Sequence, residues 1–363
     1  QIQDGDNWIT GQTATAWGSN IYYVYVHTAT DSSATSDGLL NFRVIAGMEE
    51  GNFVSEVVQG YSVDNINPAI PTLLSTNHDD EDWTLTFNWQ TEIIDDDFER
   101  FDLDRSDTVF STTDLQFIDS DSLLFPTEYN LAAVDIHDNT SYSEESVLAL
   151  PLHTGANLIS FYILPEDKSV PYVFEQLGEN AVGVIGEGIG SSLIPGVGWV
   201  GSLQQLKYTS AYWIVVYNDD VLPVLGYRND PAVIYELHSG ANLISFPFSG
   251  TCNISDCIPD DIEPYFIGII GEGIGSSLIP GIGWVGSLQQ WQGGDGYWVV
   301  LSDSISFSFE QPTELPRTQS AKISSPLPVG MKYEQSMEQA FYFVEELKVK
   351  NEKFEDGVGN WLL

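Results

Sequence analysis

Basic residues are scarce in this chain: 12 Lys and Arg stand against 53 Asp and Glu, a formal charge of −41 over 363 residues. That magnitude lies far beyond the few charges of an ordinary soluble domain. It excludes nucleic acid and anionic membrane as partners, because the chain's field repels phosphate at any range inside the Debye length. Cations, basic surfaces and salty water remain compatible. The shortage is also uneven, since residues 313–363 hold six basic and eight acidic residues, leaving 6 against 45 for residues 1–312. Cysteine is nearly absent too. Cys252 and Cys257 stand alone in CNISDC, which reads as one short-range disulfide, and with only His238 close by a zinc site lacks ligands. An isolated pair of this kind, with seven lysines and abundant Ser, Thr and Asn, suits a secreted or cell-surface setting. No hydrophobic run reaches the ~18–20 residues that cross a bilayer, so direct membrane insertion is not expected. No signal peptide precedes Gln1, and the chain reads as processed or as a piece of something longer.

What the chain has is repetition. Residues 183–205 read GVIGEGIGSSLIPGVGWVGSLQQ and residues 268–290 read GIIGEGIGSSLIPGIGWVGSLQQ, differing only by Val-to-Ile exchanges at two positions. The register holds outside the block: His153 and His238, Gly186 and Gly271, and Tyr212 and Tyr297 are all 85 residues apart. Two tandem copies of one module follow, over 151–235 and 236–312, each opening on G-A-N-L-I-S-F and closing on Tyr-Trp. Their near-identical stretches read as a shared glycine-rich core, and the divergent stretches 162–182 and 247–267 as the faces that make contacts. Short alternating runs rich in β-branched and aromatic residues, such as Trp83 to Trp89 and Tyr212 to Val216, recur between turn residues along the chain. The expected class is therefore all-β, built as tandem β-sandwich modules. The best helix candidates are short: Val170 to Leu177, with Ser169 as N-cap and Pro171 in the first turn, and a turn near Pro264 to Phe266.

Residues 1–66 read as the tail of a sandwich whose start lies outside the chain, ending in a linker punctuated by Pro68 and Pro71. Residues 67–150 follow with Pro71 at the first strand, Trp89 in a core position, the strand Phe101 to Ser106, and Tyr129-Asn130-Leu131-Ala132-Ala133-Val134-Asp135 as a penultimate strand. This pattern resembles a fibronectin type III domain. The resemblance implies an immunoglobulin-like sandwich with Tyr129 as a tyrosine corner, its ring in the core and its hydroxyl returned to the backbone. The two copies, with their G-x-N-L-I-S-F, G-W-x-G-S-L and Y-W signatures, are similar to a module of large secreted proteins of marine bacteria of the Bacteroidetes and Marinimicrobia kind. Residues 313–363 carry one clear strand around Ala340-Phe341-Tyr342-Phe343-Val344 and too little else to close a core, so this segment is expected to pack back or to be donated to another chain's open edge.

Candidate sites are few. The string Gly186-Glu187-Gly188-Ile189-Gly190-Ser191-Ser192 lacks the lysine of a phosphate loop and the strand-to-helix setting of a dinucleotide fingerprint, so turns and close backbone packing are the reading. Glu187 and Glu272, in matched positions, read as caps on backbone amides or as solvated groups. The repeat-equivalent His153 and His238 read as structural. Asp95, Asp96 and Asp97 offer oxygen ligands to Ca²⁺ but lack the spacing of a helix-flanked calcium loop, and a solvated loop competes with that reading, as it does for Asp79 to Asp82. No other cofactor is implied. Nothing pairs a nucleophile with a base, and the ten tryptophans read as core more readily than as a sugar-stacking platform. Sequons at Asn139 and Asn253 permit glycan attachment in a suitable host.

The function expected is a non-enzymatic extracellular structural protein, part of a fibre, sheath, surface layer or adhesin stalk that self-associates into a homopolymer or meets other cell-surface proteins. The alternative is a non-catalytic, carbohydrate-directed module of a larger secreted enzyme.

Overall fold

The computed structural model describes residues 1–16, 38–61, 67–92, 94, 97–106, 108–121 and 123–311, and a small ladder pairing Lys348–Val349 with Glu352–Lys353. The described residues up to 311 belong to one compact unit, and the ladder lies in a second. The chain is all-β. Its helical pieces among the described residues are α1 (Val170–Val173), α2 (Ile254–Cys257) and two 3₁₀ turns, Glu175–Asn180 and Glu263–Tyr265. None is long and apolar enough to cross a membrane. Ser169 stands at the N-cap of α1 as expected, but its side chain makes no capping bond.

In the N-terminal part, β1 (Ile2–Asp4), β2 (Asn7–Ile9), β3 (Leu39–Phe42) and β6 (Val58–Tyr61) form a four-stranded sheet, and β4 (Ile45–Met48) pairs with β5 (Gly51–Val54). The next strands make a sandwich. One sheet is β7 (Thr72–Asp79), β8 (Thr84–Gln90) and β11 (Gln116–Asp119), in the order β11-β8-β7. The other begins β10-β9-β12-β13, from β9 (Phe98–Arg105), β10 (Thr108–Thr112), β12 (Thr127–Asp135) and β13 (Thr140–Leu152). Strict alternation in β8 sends Leu85, Phe87 and Trp89 into a core shared with Phe101, Leu103, Tyr129 and Leu131 from the facing sheet. Tyr129 is buried there, but its hydroxyl donates to Asp119 Oδ2 at 2.7 Å rather than to a backbone carbonyl. Asp119 is itself held by Arg105, at 2.8 Å, so a side-chain network replaces the expected corner.

The boundary expected at 150/151 falls inside β13, which runs through it unbroken. Beyond β13 the same sheet continues into copy 1 through β20 (Asp220–Arg228) and then β15 (Ile163–Leu164). The residues say why. Ser146 to Leu152 reads S-V-L-A-L-P-L, a continuous apolar run, because the strand is buried on both faces. Val147 and Ala149 enter the sandwich core together with Val221, whereas Leu148, Leu150 and Leu152 enter the core of copy 1 with Leu222 and Val224. Copy 2 keeps the equivalent pair as β21 (Tyr235–Leu237) and β29 (Ile305–Phe307), in the same register shifted by 85: Leu152 faces Asp220 and Leu237 faces Ile305. There the pattern alternates. Tyr235, Leu237, Ile305 and Phe307 enter copy 2's core, while Glu236 and Ser306 are exposed and bonded to each other at 2.8 Å.

Each copy adds a five-stranded antiparallel sheet. In copy 1 the order is β14-β19-β16-β17-β18, from β14 (Gly155–Ser160), β16 (Ala181–Ile185), β17 (Gly190–Ile194), β18 (Gly198–Gly201) and β19 (Ala211–Val216). In copy 2 it is β22-β28-β24-β25-β26, from β22 (Gly240–Ser245), β24 (Phe266–Ile270), β25 (Gly275–Ile279), β26 (Gly283–Gly286) and β28 (Gly296–Leu301). After β18 the chain folds back so closely that Ser202 N and Leu203 N both donate to Gly190 O, and a Cβ on Gly201 would stand 2.1 Å from that oxygen. The repeated block is therefore largely an edge hairpin, half exposed, and not the shared core its Ile, Val and Trp content suggested. Of the divergent stretches, 162–182 does make the expected contacts, with Gln176 Nε2 donating to Thr76 O of the sandwich at 2.8 Å. The other, 247–267, carries β23 (Thr251–Asn253), paired with β27 (Gln290–Gln292), and the Cys252–Cys257 disulfide, both of whose cysteines are buried.

Candidate functional site

The features that sequence reading left apart, His153, His238, Glu187 and Glu272, come together in one seam between the copies. Each copy contributes two loops. The first is His-x-Gly-x-Asn: Asn157 accepts from His153 N at 2.8 Å through Oδ1 and donates to His153 O at 2.8 Å through Nδ2, while Gly155 takes a φ of +100°. Asn242 does the same for His238, with Gly240 at +96°. These bonds lock the histidine-bearing turn before the strand begins. The second loop is the Gly-Glu-Gly turn joining β16 to β17, and β24 to β25. It is closed by Gly186 N donating to Ile189 O at 2.8 Å, with Gly188 at a φ of +69° that favours glycine.

The turn of one copy reaches the histidine loop of the other. Glu187 Oε2 accepts the amide of Leu243 at 2.9 Å, and its Oε1 lies 2.7 Å from His238 Nε2. Reciprocally, Glu272 Oε2 accepts the amide of Leu158 at 2.9 Å, and its Oε1 lies 2.5 Å from His153 Nε2. The backbone follows the same exchange: Ser160 N donates to Gly294 O and Ser245 N to Thr209 O, each the other's equivalent at a shift of 85. Between the clamps Leu158, Ala211 and Leu243 are buried, with the partly buried Trp213 and Trp298 packed against them. The seam is thus isologous, a pseudo-two-fold contact inside one chain. Both glutamates cap backbone amides, as the sequence suggested, but the amides belong to the opposite copy.

Symmetry breaks where the sandwich intrudes. Copy 1 has Tyr208-Thr209-Ser210-Ala211 where copy 2 has Gly293-Gly294-Asp295-Gly296. A Cβ on Gly294 would lie 2.5 Å from Pro126 Cβ of the sandwich, and one on Gly296 would lie 2.6 Å from Ala211 Cβ across the seam. The glycines let copy 2 sit against both neighbours. Copy 1 is joined to the sandwich by polar links as well. His78 Nδ1 lies 2.8 Å from Asp220 Oδ1, which Asn180 of the same copy holds from its other oxygen at 2.8 Å, and Arg228 pairs with the buried Glu128. Burial pushes the Glu128 carboxyl up, and Arg228 works against that.

Each seam histidine has an acceptor at both ring nitrogens, a carboxylate at Nε2 and its neighbour's carbonyl at Nδ1 (Thr154 O, 2.9 Å; Ser239 O, 2.8 Å). Only the doubly protonated ring donates to both. For His238, the Ser239 carbonyl and then Glu187 hold the pKa above the ordinary histidine value. A raised folded-state pKa gives stability that is fully present below the unfolded value and lost as pH rises through the folded one. We therefore expect the difference in melting temperature between the chain and its His238→Gln variant to be largest near pH 5.5 and to shrink by pH 8. A constant difference across that range would show that the ring works as a neutral spacer. The effect is small, since the ring is well exposed.

Among the described residues one group can offer a cation several ligands: Asp97, Asp135 and His137 bring ligand atoms within 4.8 Å of one another. Asp135 is buried, and its oxygens accept His137 N, Asn139 N and Asn139 Nδ2 at 2.8 to 2.9 Å, which shapes the turn between β12 and β13. Of the candidate calcium residues Asp97 takes part, while Asp95 and Asp96 lie outside the described residues, as do Ala340, Phe341, Tyr342, Phe343 and Val344 of the expected assembly strand. The alternative acidic run forms a turn in which Asp79 Oδ1 accepts the amides of Glu81 and Asp82. No family model matches the chain, and neither does any curated protein or solved structure.

Proposed function

We propose that this chain is a non-enzymatic structural protein of an extracellular fibre, sheath, surface layer or stalk, whose modules transmit load without joints. The observation that supports this most is the double welding of copy 1. Its strand β20 continues the sandwich sheet through β13, and its outer face is clamped reciprocally to copy 2. Flexible linkers between modules serve proteins whose domains act separately. Here the junctions of copy 1 with its two neighbours are a strand ladder and buried side-chain clusters. The three-plus-four strand order of the sandwich supports its resemblance to a fibronectin type III domain, and the tryptophans that pack inward favour the structural reading over sugar binding. Trp199 lies against Phe174 at 5.7 Å, and Trp284 donates to Glu263 at 2.7 Å. Divalent cations fit the proposal by relieving repulsion among 53 acidic groups.

The test is sedimentation velocity and electron microscopy of the chain over a range of concentrations, with Ca²⁺ and at matched ionic strength without it. Concentration-dependent assembly, strengthened by Ca²⁺, is the expected result. Monodisperse monomer at every concentration, together with retention of the chain on polysaccharide, would favour the carbohydrate-directed alternative.

A further inference from the structure

The two hairpins of the repeated block do more than close their sheets. β18 and β26 are the outermost strands of the two five-stranded sheets, and no strand lies beside them among the described residues. Their solvent side is uncharged and largely apolar, with Ser192 and Ser277 as its exposed hydroxyls opposite Val200 and Val285. Ile194, Val197 and Val200 are exposed in copy 1, and Ile279, Ile282 and Val285 in copy 2, with the turn residues Val197 and Ile282 the most open at 71% and 74%. Residues 188–206 and 273–294 contain no ionisable side chain, on a chain whose formal charge is −41. The seam uses Glu187, Glu272, the histidine loops and the β14, β19, β22 and β28 strands, so it leaves these edges unused.

Two further observations bear on what covers them. The block is nearly invariant between copies although much of it faces solvent, whereas directly after it even a buried position changes, Leu206 of copy 1 becoming Trp291 of copy 2. Packing alone does not keep Ile194, Pro195, Val200 and their equivalents alike. Charge then selects the partner. Two molecules of this acidity repel wherever carboxylates face each other, and an uncharged apolar edge is a place where they can meet without that cost. An antiparallel edge is also complementary to itself, since its outward N–H and C=O groups pair with those of a second edge run in the opposite direction, the glutamines that hold Gly201 O and Gly286 O giving way at the strand ends.

We propose that hairpins β17–β18 and β25–β26 are two equivalent docking edges for a second copy of this chain, so that each chain is a bivalent subunit joining others edge to edge. Because the edges are alike, either edge of one chain accepts either edge of the next. One self-complementary edge per chain would close into a dimer, while two extend into a linear polymer. This rests on the self-association reading above.

The test uses the whole chain carrying Val200→Glu, Val285→Glu or both. Each position is partly exposed and outward-facing, so the fold should hold, and unchanged thermal melting of the dilute protein checks it. The unsubstituted chain should grow past dimer as concentration rises. Either single variant should stop at dimer, because one edge remains. The double variant should stay monomeric to concentrations about tenfold higher or more, and added salt should partly restore its association by screening the paired like charges. If the double variant assembles like the unsubstituted chain, the edges are not the contacts while self-association itself stands. If the unsubstituted chain is monomeric throughout, both this proposal and the assembly reading fall.

Discussion

Replacing Gly226 by valine should cost about 3 kcal/mol or more and lower the melting temperature of residues 67–311 by about 6–12 °C, the scale for overpacking against backbone in a unit of this size. Gly226 lies in β20, and a Cβ there would stand 2.2 Å from the carbonyl carbon of Leu164 and 2.5 Å from Pro165 N. Both are backbone atoms, so no rotamer change relieves the clash, and β15 must leave the sheet. The loss is not local. β20 shares Val221 with the sandwich core and Leu222 and Val224 with copy 1, so loosening it weakens both at once. Without the substitution, β12 of the sandwich and β19 of copy 1 should lose hydrogen-exchange protection in one cooperative step under denaturant. Two well-separated steps in the unsubstituted chain would show that β13 and β20 do not weld the modules together.

The second large effect lies at the seam. Glu187→Ala and Glu272→Ala should each cost about 2 kcal/mol, because each removes the acceptor of an amide in the seam, Leu243 or Leu158, along with a histidine contact. Most of the cost is the stranded amide, since the histidine pairs are half exposed and screened. The pseudo-two-fold arrangement makes a stronger demand than either number: the two losses should be nearly equal, and exchange at the Leu158 and Leu243 amides should rise in the matching variants. A large cost for one glutamate and none for the other would mean that the seam is held from one side only.

Much of this was legible along the chain, and the reasons are particular. Alternation in Thr84 to Gln90 placed Leu85, Phe87 and Trp89 in a core, because a half-buried strand writes its two faces into successive residues. The CNISDC spacing gave the Cys252–Cys257 bond. The sequence carries a further signal: Ser146 to Leu152 and Val221 to Leu225 run apolar without alternation, whereas Tyr235 to Leu237 and Ile305 to Phe309 alternate. A strand pair buried between two cores and a pair buried against one differ in that way, and the contrast identifies which copy carries the sandwich on its back. The type III resemblance put the Tyr129 ring in the core, where it lies, but returned its hydroxyl to the backbone, whereas Asp119 takes it because the crossing of two sheets brings that carboxylate within reach.

The repeated block shows where that limit lies. Composition and the 85-residue register determined that the chain is all-β, acidic and built on a duplicated module, since these properties depend on local pattern and on counting. That Glu187 caps Leu243 while Glu272 caps Leu158, and that β18 and β26 end as uncovered edges, was decided only by tertiary structure. Partners 56 and 114 residues apart meet because two similar sheets turn the same face to each other, and face-to-face orientation is a property of the packed pair that neither copy's sequence contains by itself.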